Sequence, residues 1–335
     1  MTSTSNTDST TQIMENIIEA VPTELIINEL TEERFVRKTN FGKNEIYIVN
    51  AHNAPNTMRE IGRLREWAFR ESGGGTGKSI DIDEFDTRDD AYFEQLIVWD
   101  PREKEILGGY RFIDCKKLPI KNNGQVDTPT SELFYYSDNF IKDYLPYTIE
   151  LGRSFIQPKY QSTGNVRKSI FTLDNLWDGL GALLTNIPSA KYFFGKVTMY
   201  SQFDPAMRDM ILFFMRKFFP DNDNLIYPYP DKAINIKARK AIMRLRLDGQ
   251  NYQNSYRTLS KFVRENGSNI PPLFNAYMSL SATMKMFGTA LNAPFGNVEE
   301  TAILITIEDI YPEKIERHLI YDKNEKPEHL KVIEN

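Results

Sequence analysis

The stretch "YTIELGRSFIQPKY" (Tyr147–Tyr160) reads as a β-strand. Strict alternation places Tyr147, Ile149, Leu151 and Arg153 on one face and Thr148, Glu150, Gly152 and Ser154 on the other, until Pro158 ends the run. Glutamate, glycine and arginine are poor choices for the middle of a buried strand. A carboxylate and a guanidinium three residues apart, with a glycine between them, therefore ask for a chemical explanation.

The surroundings of this strand set the fold class. Upstream, "NEIYIV" (Asn44–Val49) reads as a strand. A helix follows from Pro55, with Met58, Ile61, Leu64 and Ala68 on one face and a stop at Gly73-Gly74-Gly75. "FEQLIVWD" and "ILGGYRFID" are two strands joined by the turn Pro101–Lys104. Downstream, a helix runs from about Val166 to Ile187, "AKYFFGKVTMY" is an apolar strand, and Asp204-Pro205 starts a helix as cap and first-turn proline. "PPLFNAYMSL" predicts a helix and "TAILITI" a last strand, while Met14 to Asn40 carries no clear pattern. A meander of strands followed by strand–helix alternation indicates an α/β or α+β domain around a mixed sheet. We read residues 1–40 as an N-terminal extension, polar and disordered over its first twelve residues. Residues 41–315 read as one domain with an insertion at about 220–270, and 316–335 as a charged tail.

Bulk properties narrow the function. The chain has 335 residues, 41% hydrophobic and 26% charged, with a formal net charge of -5. That balance argues against nucleic acid as partner. A single cysteine, Cys115, excludes a disulfide framework, and histidines at 52, 318 and 329 show no metal-ligand spacing, so no metal site is expected. No apolar run approaches the roughly 18 residues of a membrane span, and the polar N-terminus lacks a signal core. These features lead us to expect a cytoplasmic protein.

"SGGGTGKS" (Ser72–Ser79) nearly spells a phosphate-binding loop. Ser72 stands where the first glycine belongs, a helix precedes where a strand is required, and an acidic loop follows. It reads as a flexible loop. The acidic run Asp81, Asp83, Glu84, Asp86, Asp89, Asp90 reads either as a solvated loop or as a platform for cations, the chain's own arginines included. Arg65, Arg111 and Arg153 each sit among apolar or aromatic neighbours, where an arginine needs a carboxylate partner; Asp83, Asp86 and Glu150 are candidates. The basic segment from Asp231 to Leu247 fits a solvated helix or contact with an acidic partner or anionic membrane.

In order along the chain, these residues form R-x-x-x-F (Arg65, Phe69), D-x-D-x-x-D (Asp81, Asp83, Asp86), Arg111 in a strand and E-x-x-R (Glu150, Arg153). The pattern resembles the acyl-homoserine lactone synthases. It resembles more closely the bacterial aminolipid N-acyltransferases that make lyso-ornithine or lyso-glycine lipids, the haemolysin-like acetyltransferase branch of the GNAT fold. The likeness spans about Asn44–Ile310 and is nearest to the glycine-lipid enzymes. Glu94-Gln95 stand where many members carry a histidine. Gln161–Val166 holds only a degraded form of the GNAT pyrophosphate loop, its last position crowded by a β-branched valine.

What the resemblance implies is a GNAT-like mixed sheet whose central parallel strands splay apart at the active site. The gap is expected between "TIELGRSF" and "KYFFGKVTMY", with Gly152 easing the distortion and a freed backbone amide stabilising the oxyanion. The donor would be the phosphopantetheine thioester of an acyl carrier protein in preference to coenzyme A, with no tightly bound cofactor. The acceptor would be the α-amine of an amino acid, glycine before ornithine. Glu150 would be the base and Arg153 would hold it ionised or bind the acyl 3-hydroxyl. Arg65, Asp83, Asp86 and Arg111 would form the network around the substrate, Phe69 would line the acyl path, and Lys159, Arg167 and Lys168 would meet the carrier. Residues 231–247 would supply peripheral contact with the inner membrane. Lactone synthesis from S-adenosylmethionine and a non-catalytic carrier- or membrane-docking module are the competing readings.

Overall fold

The computed structural model describes residues 14–161, 166–236, 251–319 and 326–327, with residues 166–173 described by backbone only. The first twelve residues, positions 162–165 of the degraded loop, the Arg167 and Lys168 side chains, the basic segment from 237 onward and most of the charged tail lie outside the described residues.

In chain order the elements begin α1 (Thr23–Glu29), β1 (Phe35–Lys38), β2 (Glu45–Val49), α2 (Pro55–Glu71), α3 (Glu84–Thr87), β3 (Glu94–Asp100), β4 (Glu105–Asp114) and β5 (Phe134–Tyr136). They continue with β6 (Thr148–Ile156), α4 (Val166–Asn186), β7 (Tyr192–Met199), α5 (Pro205–Phe218), β8 (Ile226–Pro228) and α6 (Tyr252–Glu265). The chain closes with α7 (Pro272–Met278), β9 (Lys285–Asn292), β10 (Val298–Thr306) and α8 (Pro312–His318). Eight strands form one sheet in the order β1-β2-β3-β4-β6-β7-β10-β9, and β5 pairs with β8 beside it. Every pairing in the large sheet is antiparallel except β6 with β7. The expected mixed α/β architecture is therefore present, with α2 on one face of the sheet and α4 on the other.

The strands and helices read from sequence recur within a residue or two, except that the last strand, β10, begins three residues earlier, at Val298. The insertion region adds β8 and α6 as integral parts: Leu259 and Val263 of α6 are fully buried in the main core. The face covered by α4 to α7 is apolar, joining Leu96, Val98, Phe112 and Ile149 to Leu176, Leu180 and Phe214. The opposite face carries two separate apolar clusters. One packs Tyr47, Ile97 and Trp99 against Ile61 and Leu64 of α2, and the other groups Phe134, Tyr136 and Phe140 with Phe194 and Phe287. Between these two clusters the sheet presents a polar row.

Gly108 and Gly109 in β4 are required by close approach. A Cβ on Gly108 would stand 2.6 Å from the Phe155 carbonyl oxygen, and one on Gly109 2.6 Å from that of Leu96. The contact atoms are backbone, so they have no rotamer by which to move away. Gly109→Ala should destabilise the fold by about 1–3 kcal/mol, read as a lower urea midpoint at unchanged m-value; an unchanged midpoint would refute the tight approach.

Candidate active site

The central parallel pair is short. Thr148 to Leu151 pair with Tyr192 to Gly195, and there the ladder stops. Both strands continue, β6 to Ile156 and β7 to Met199, so their facing edges diverge unpaired. The gap lies where the sequence placed it.

The cause of the divergence differs from expectation. Gly152 does not take the unusual backbone; Arg153 does, with a φ of 51°. Opposite β4 the register passes from Gly109↔Phe155 to Arg111↔Gly152, so Tyr110 alone faces both Arg153 and Ser154. This is a β-bulge with its extra residue on β6. A left-handed residue in this position is normally glycine, and arginine pays roughly 1–2 kcal/mol for it. The bulge also corrects the simple alternation. Strict period two would point Arg153 away from Glu150, whereas the slip returns it to that face, toward Asp81 and Asp83.

The aspartates of the loop bind the chain's own arginines, which decides between the two readings of the acidic run for Asp81, Asp83 and Asp86. Arg65 is fully buried; it pairs with Asp86 at 3.1 Å and donates to Gln95 Oε1 at 2.6 Å. Gln95 closes the triangle by donating to Asp86 Oδ1 at 2.9 Å. Arg111 meets Asp83 at 2.8 Å and Asp86 at 3.2 Å, and Arg153 meets Asp81 at 2.9 Å. Asp83 caps α3 through the Phe85 amide, and the Asp86 side chain answers to the Asp83 amide, a reciprocal cap that fixes both carboxylates. Burial pushes Asp86 up, yet the Arg65 and Arg111 guanidinium groups overcome it and hold it below the usual carboxylate range. Asp81 stays raised by burial despite Arg153. Asp89 and Asp90 are exposed, as a solvated loop would have them.

The near-phosphate loop is also occupied from within. The buried carboxylate of Glu66 accepts the Thr76 amide at 3.0 Å, the Thr76 hydroxyl at 2.7 Å and the Gly77 amide at 2.8 Å. Those amides are the ones a phosphate would need, and a loop so tied is not the flexible segment expected.

Glu150 stands 3% exposed, one residue before the last pair of β6 with β7. The hydroxyl of Thr128 donates to both carboxylate oxygens at 2.7 Å, and that of Thr130 to Oε1 at 2.6 Å. Burial raises its pKa, while the two hydroxyls, Lys196 and Arg111 pull the other way. Arg153 pairs with Asp81, and Lys196 and Arg111 are the cations that act most strongly on Glu150. A cavity of about 880 Å3 opens beside Glu150, bordered by Phe69, Arg111, Gly152, Arg153, Lys196 and Glu300 among others. Phe69 meets Phe295 edge-on at 5.1 Å on its wall. Arg65, Asp83 and Asp86 do not border the cavity; they stand behind Arg111 and Arg153 as supports. Lys159, expected at the carrier surface, pairs with Glu105 at 3.1 Å.

Four residues escaped the sequence reading. Thr128 and Thr130 carry no signal beyond a polar loop. Lys196 and Glu300 do carry one: each is a charge inside an otherwise apolar strand, "YFFGKVTM" and "VEETAILIT". They pair at 2.8 Å.

The acetyltransferase (GNAT) domain family matches residues 64–169. A glycine N(alpha)-acyltransferase of Bacteroides thetaiotaomicron is 50% identical over 319 residues, 95% of this chain and 94% of its own. One of the same description from Phocaeicola vulgatus is 48% identical, covering 95% of this chain and 97% of its own. Among solved structures, FeeM, an N-acyl amino acid synthase from uncultured soil microbes, aligns over 82% of this chain and 95% of its own at 11% identity and a TM-score of 0.37. A coenzyme A-dependent acyl-homoserine lactone synthase, BjaI, aligns over 85% and 94% at 10% identity and a TM-score of 0.36. The splayed sheet and its charged cleft define an acyltransferase of the GNAT class. With half its residues identical along nearly the whole length, the chain belongs to the GNAT-fold family of the glycine N(alpha)-acyltransferases.

Arg65→Met should cost about 1–3 kcal/mol in urea unfolding at pH 7, because the buried Asp86 carboxylate loses one of its two guanidinium partners and keeps only Arg111. Arg65→Met/Asp86→Leu should recover part of that loss. Equal losses in the single and double variants would show that the pair is not the source.

Proposed function

We propose that this enzyme acylates the α-amine of glycine with a long, 3-hydroxylated fatty acyl group carried on the phosphopantetheine of an acyl carrier protein, in bacterial aminolipid synthesis. The observation that carries the reading is Glu150, a shielded carboxylate at the point where β6 and β7 part, beside a cavity large enough for an acyl thioester and a small acceptor. An amine attacks a thioester only when neutral, and the α-ammonium of an amino acid must first lose a proton. A buried carboxylate with a raised pKa is matched to that task. The unpaired edges beyond Leu151 and Gly195 offer backbone donors to the tetrahedral oxyanion.

Three points favour glycine. The two relatives carry that acceptor in their names. The loop carboxylates that a second cationic group of ornithine would need are committed to Arg65, Arg111 and Arg153. Glu300, within the cavity, is committed to Lys196. For the donor, the support is the sequence of the 161–166 loop, with its valine where a pyrophosphate needs open backbone. We extend the proposal to a cytoplasmic enzyme resting on the inner membrane through 231–247. No helix among the described residues is long and apolar enough to cross a membrane.

Extraction and mass spectrometry of lipids after expression in a host lacking them should yield N-acylglycine; N-acylornithine or a diffusible lactone would overturn the assignment. Glu150→Gln should fold normally and lose at least about a hundredfold in turnover, and near-normal turnover would remove Glu150 from the reaction.

The pH profile supplies a separate check. The Thr128 and Thr130 hydroxyls favour the ionised form of Glu150, so Thr128→Val and Thr130→Val should raise its pKa further. The acid limb of kcat/KM should then move to higher pH in both variants; a limb that stays in place would place the titrating base elsewhere.

A further inference from the structure

The polar row on the sheet face carries a cation, Lys196, to which the reaction above gives no contact with substrate. Gln95, Arg111, Glu150, Lys196 and Glu300 lie on β3, β4, β6, β7 and β10, which are consecutive neighbours in the sheet. Gln95 faces Arg111 across the ladder, and Glu150 faces Phe194. Lys196 is thus two residues past the partner of Glu150 and the first residue of β7 after pairing ends. It borders both the large cavity and the smaller one of about 60 Å3 that adjoins it at Leu151, Gly152 and Arg153.

Among the described residues, three cations on the cavity wall differ in how far they are committed. Arg111 is 2% exposed, and Asp83 and Asp86 both lie within 3.2 Å of its Nη1. Arg153 is ion-paired to Asp81 at 2.9 Å and its guanidinium lies over the Phe295 ring at 4.2 Å. Among the described residues Lys196 has one ion pair, to Glu300 at 2.8 Å, and an ammonium has three donors. Its field, like that of Arg111, reaches Glu150.

We propose that Lys196 is the residue that binds the carboxylate of the acceptor amino acid, with Glu300 holding its ammonium in place across the splay. The inference deepens the reading of the acceptor as glycine and rests on it. The arrangement suits the ligand: Glu150 and Lys196 border one cavity on either side of the splay, and the ammonium is near enough to act on the carboxylate. A molecule whose amine and carboxylate are separated by one carbon can present one end to each, with a hydrogen bond of about 2.8 Å at each. The amine then meets Glu150 while the carboxylate meets Lys196, and the neutral nitrogen faces the thioester in the opening. An amine without a carboxylate leaves the Lys196 donors not used by Glu300 unanswered in a largely desolvated wall, so the site discriminates by those missing charge-assisted bonds.

The test compares glycine with glycinamide as acceptor at saturating acyl donor. A full pH series keeps plateau values comparable, since Lys196 also favours ionised Glu150. In Lys196→Met the KM for glycine should rise about 10- to 100-fold while kcat at the plateau changes only a few-fold. The preference for glycine over glycinamide should collapse toward one. Because Lys196→Met strands the buried Glu300, Lys196→Met/Glu300→Gln serves as the variant without that penalty and should show the same collapse. Glu300→Gln alone, which removes the anion that holds the ammonium in place, should raise the KM for glycine by less than Lys196→Met does. A preference for glycine that survives in Lys196→Met or in the double variant would overturn the proposal, as would a KM for glycine left unchanged in Glu300→Gln. Wild-type enzyme that acylates no amino acid would overturn the acceptor reading itself, and the wild type alone reveals that outcome.

Discussion

Three guanidinium groups cannot be taken out of water without three carboxylates to meet them, and most of this site follows from that requirement. The desolvation cost of each buried ion is several kcal/mol, and only close, hydrogen-bonded pairing offsets it. Asp81, Asp83 and Asp86 supply the pairing from a single short segment, and the arginines come from α2, β4 and β6. The loop is thereby fastened to one helix and two strands at once. Gln95 fills the remaining polar gap between Arg65 and Asp86, so the network is closed by a neutral amide.

The bulge at Arg153 belongs to the same constraint. A regular β6 would carry Arg153 to the apolar face under α4, away from Asp81 and Asp83. The extra residue keeps the guanidinium with Asp81 at the cost of a left-handed arginine. It also ends regular geometry in β6 one residue past its last pair with β7. Strain, ion pairing and the opening of the sheet are thus one local event. Glu150 lies just before it, where the strand is still regular and the carboxylate is held by hydroxyls from the loop at Thr128 and Thr130.

The glycine-rich loop after α2 shows the same economy of charge. Glu66 provides the anion that its amides would otherwise seek, and the N-terminal segment is laid across it by the Glu15 amide to Gly77 and the Ile18 amide to Ser79. A sequence that nearly spells a phosphate site is in this fold an internal anchor for the end of α2, whose Phe69 faces the cavity.

Local pattern determined a good deal by itself. Apolar periodicity located α2, α4 and α5 and the central strands, since burial of one helix face or one strand face is written directly in the residues that make it. The presence of Glu150 and the arginines in strands and a helix was legible because charges there contradict local preference, and Lys196 and Glu300 could have been found by the same sign. What tertiary structure alone decided was which charge meets which. Arg153 was placed near Glu150 by a bulge that breaks the two-residue period, and it answers Asp81, 72 residues away in sequence. Thr128 and Thr130 gained meaning only when the chain brought a polar loop against β6. Spacing along a chain specifies faces; pairing between distant segments depends on register, and register is settled by the packing of the whole sheet.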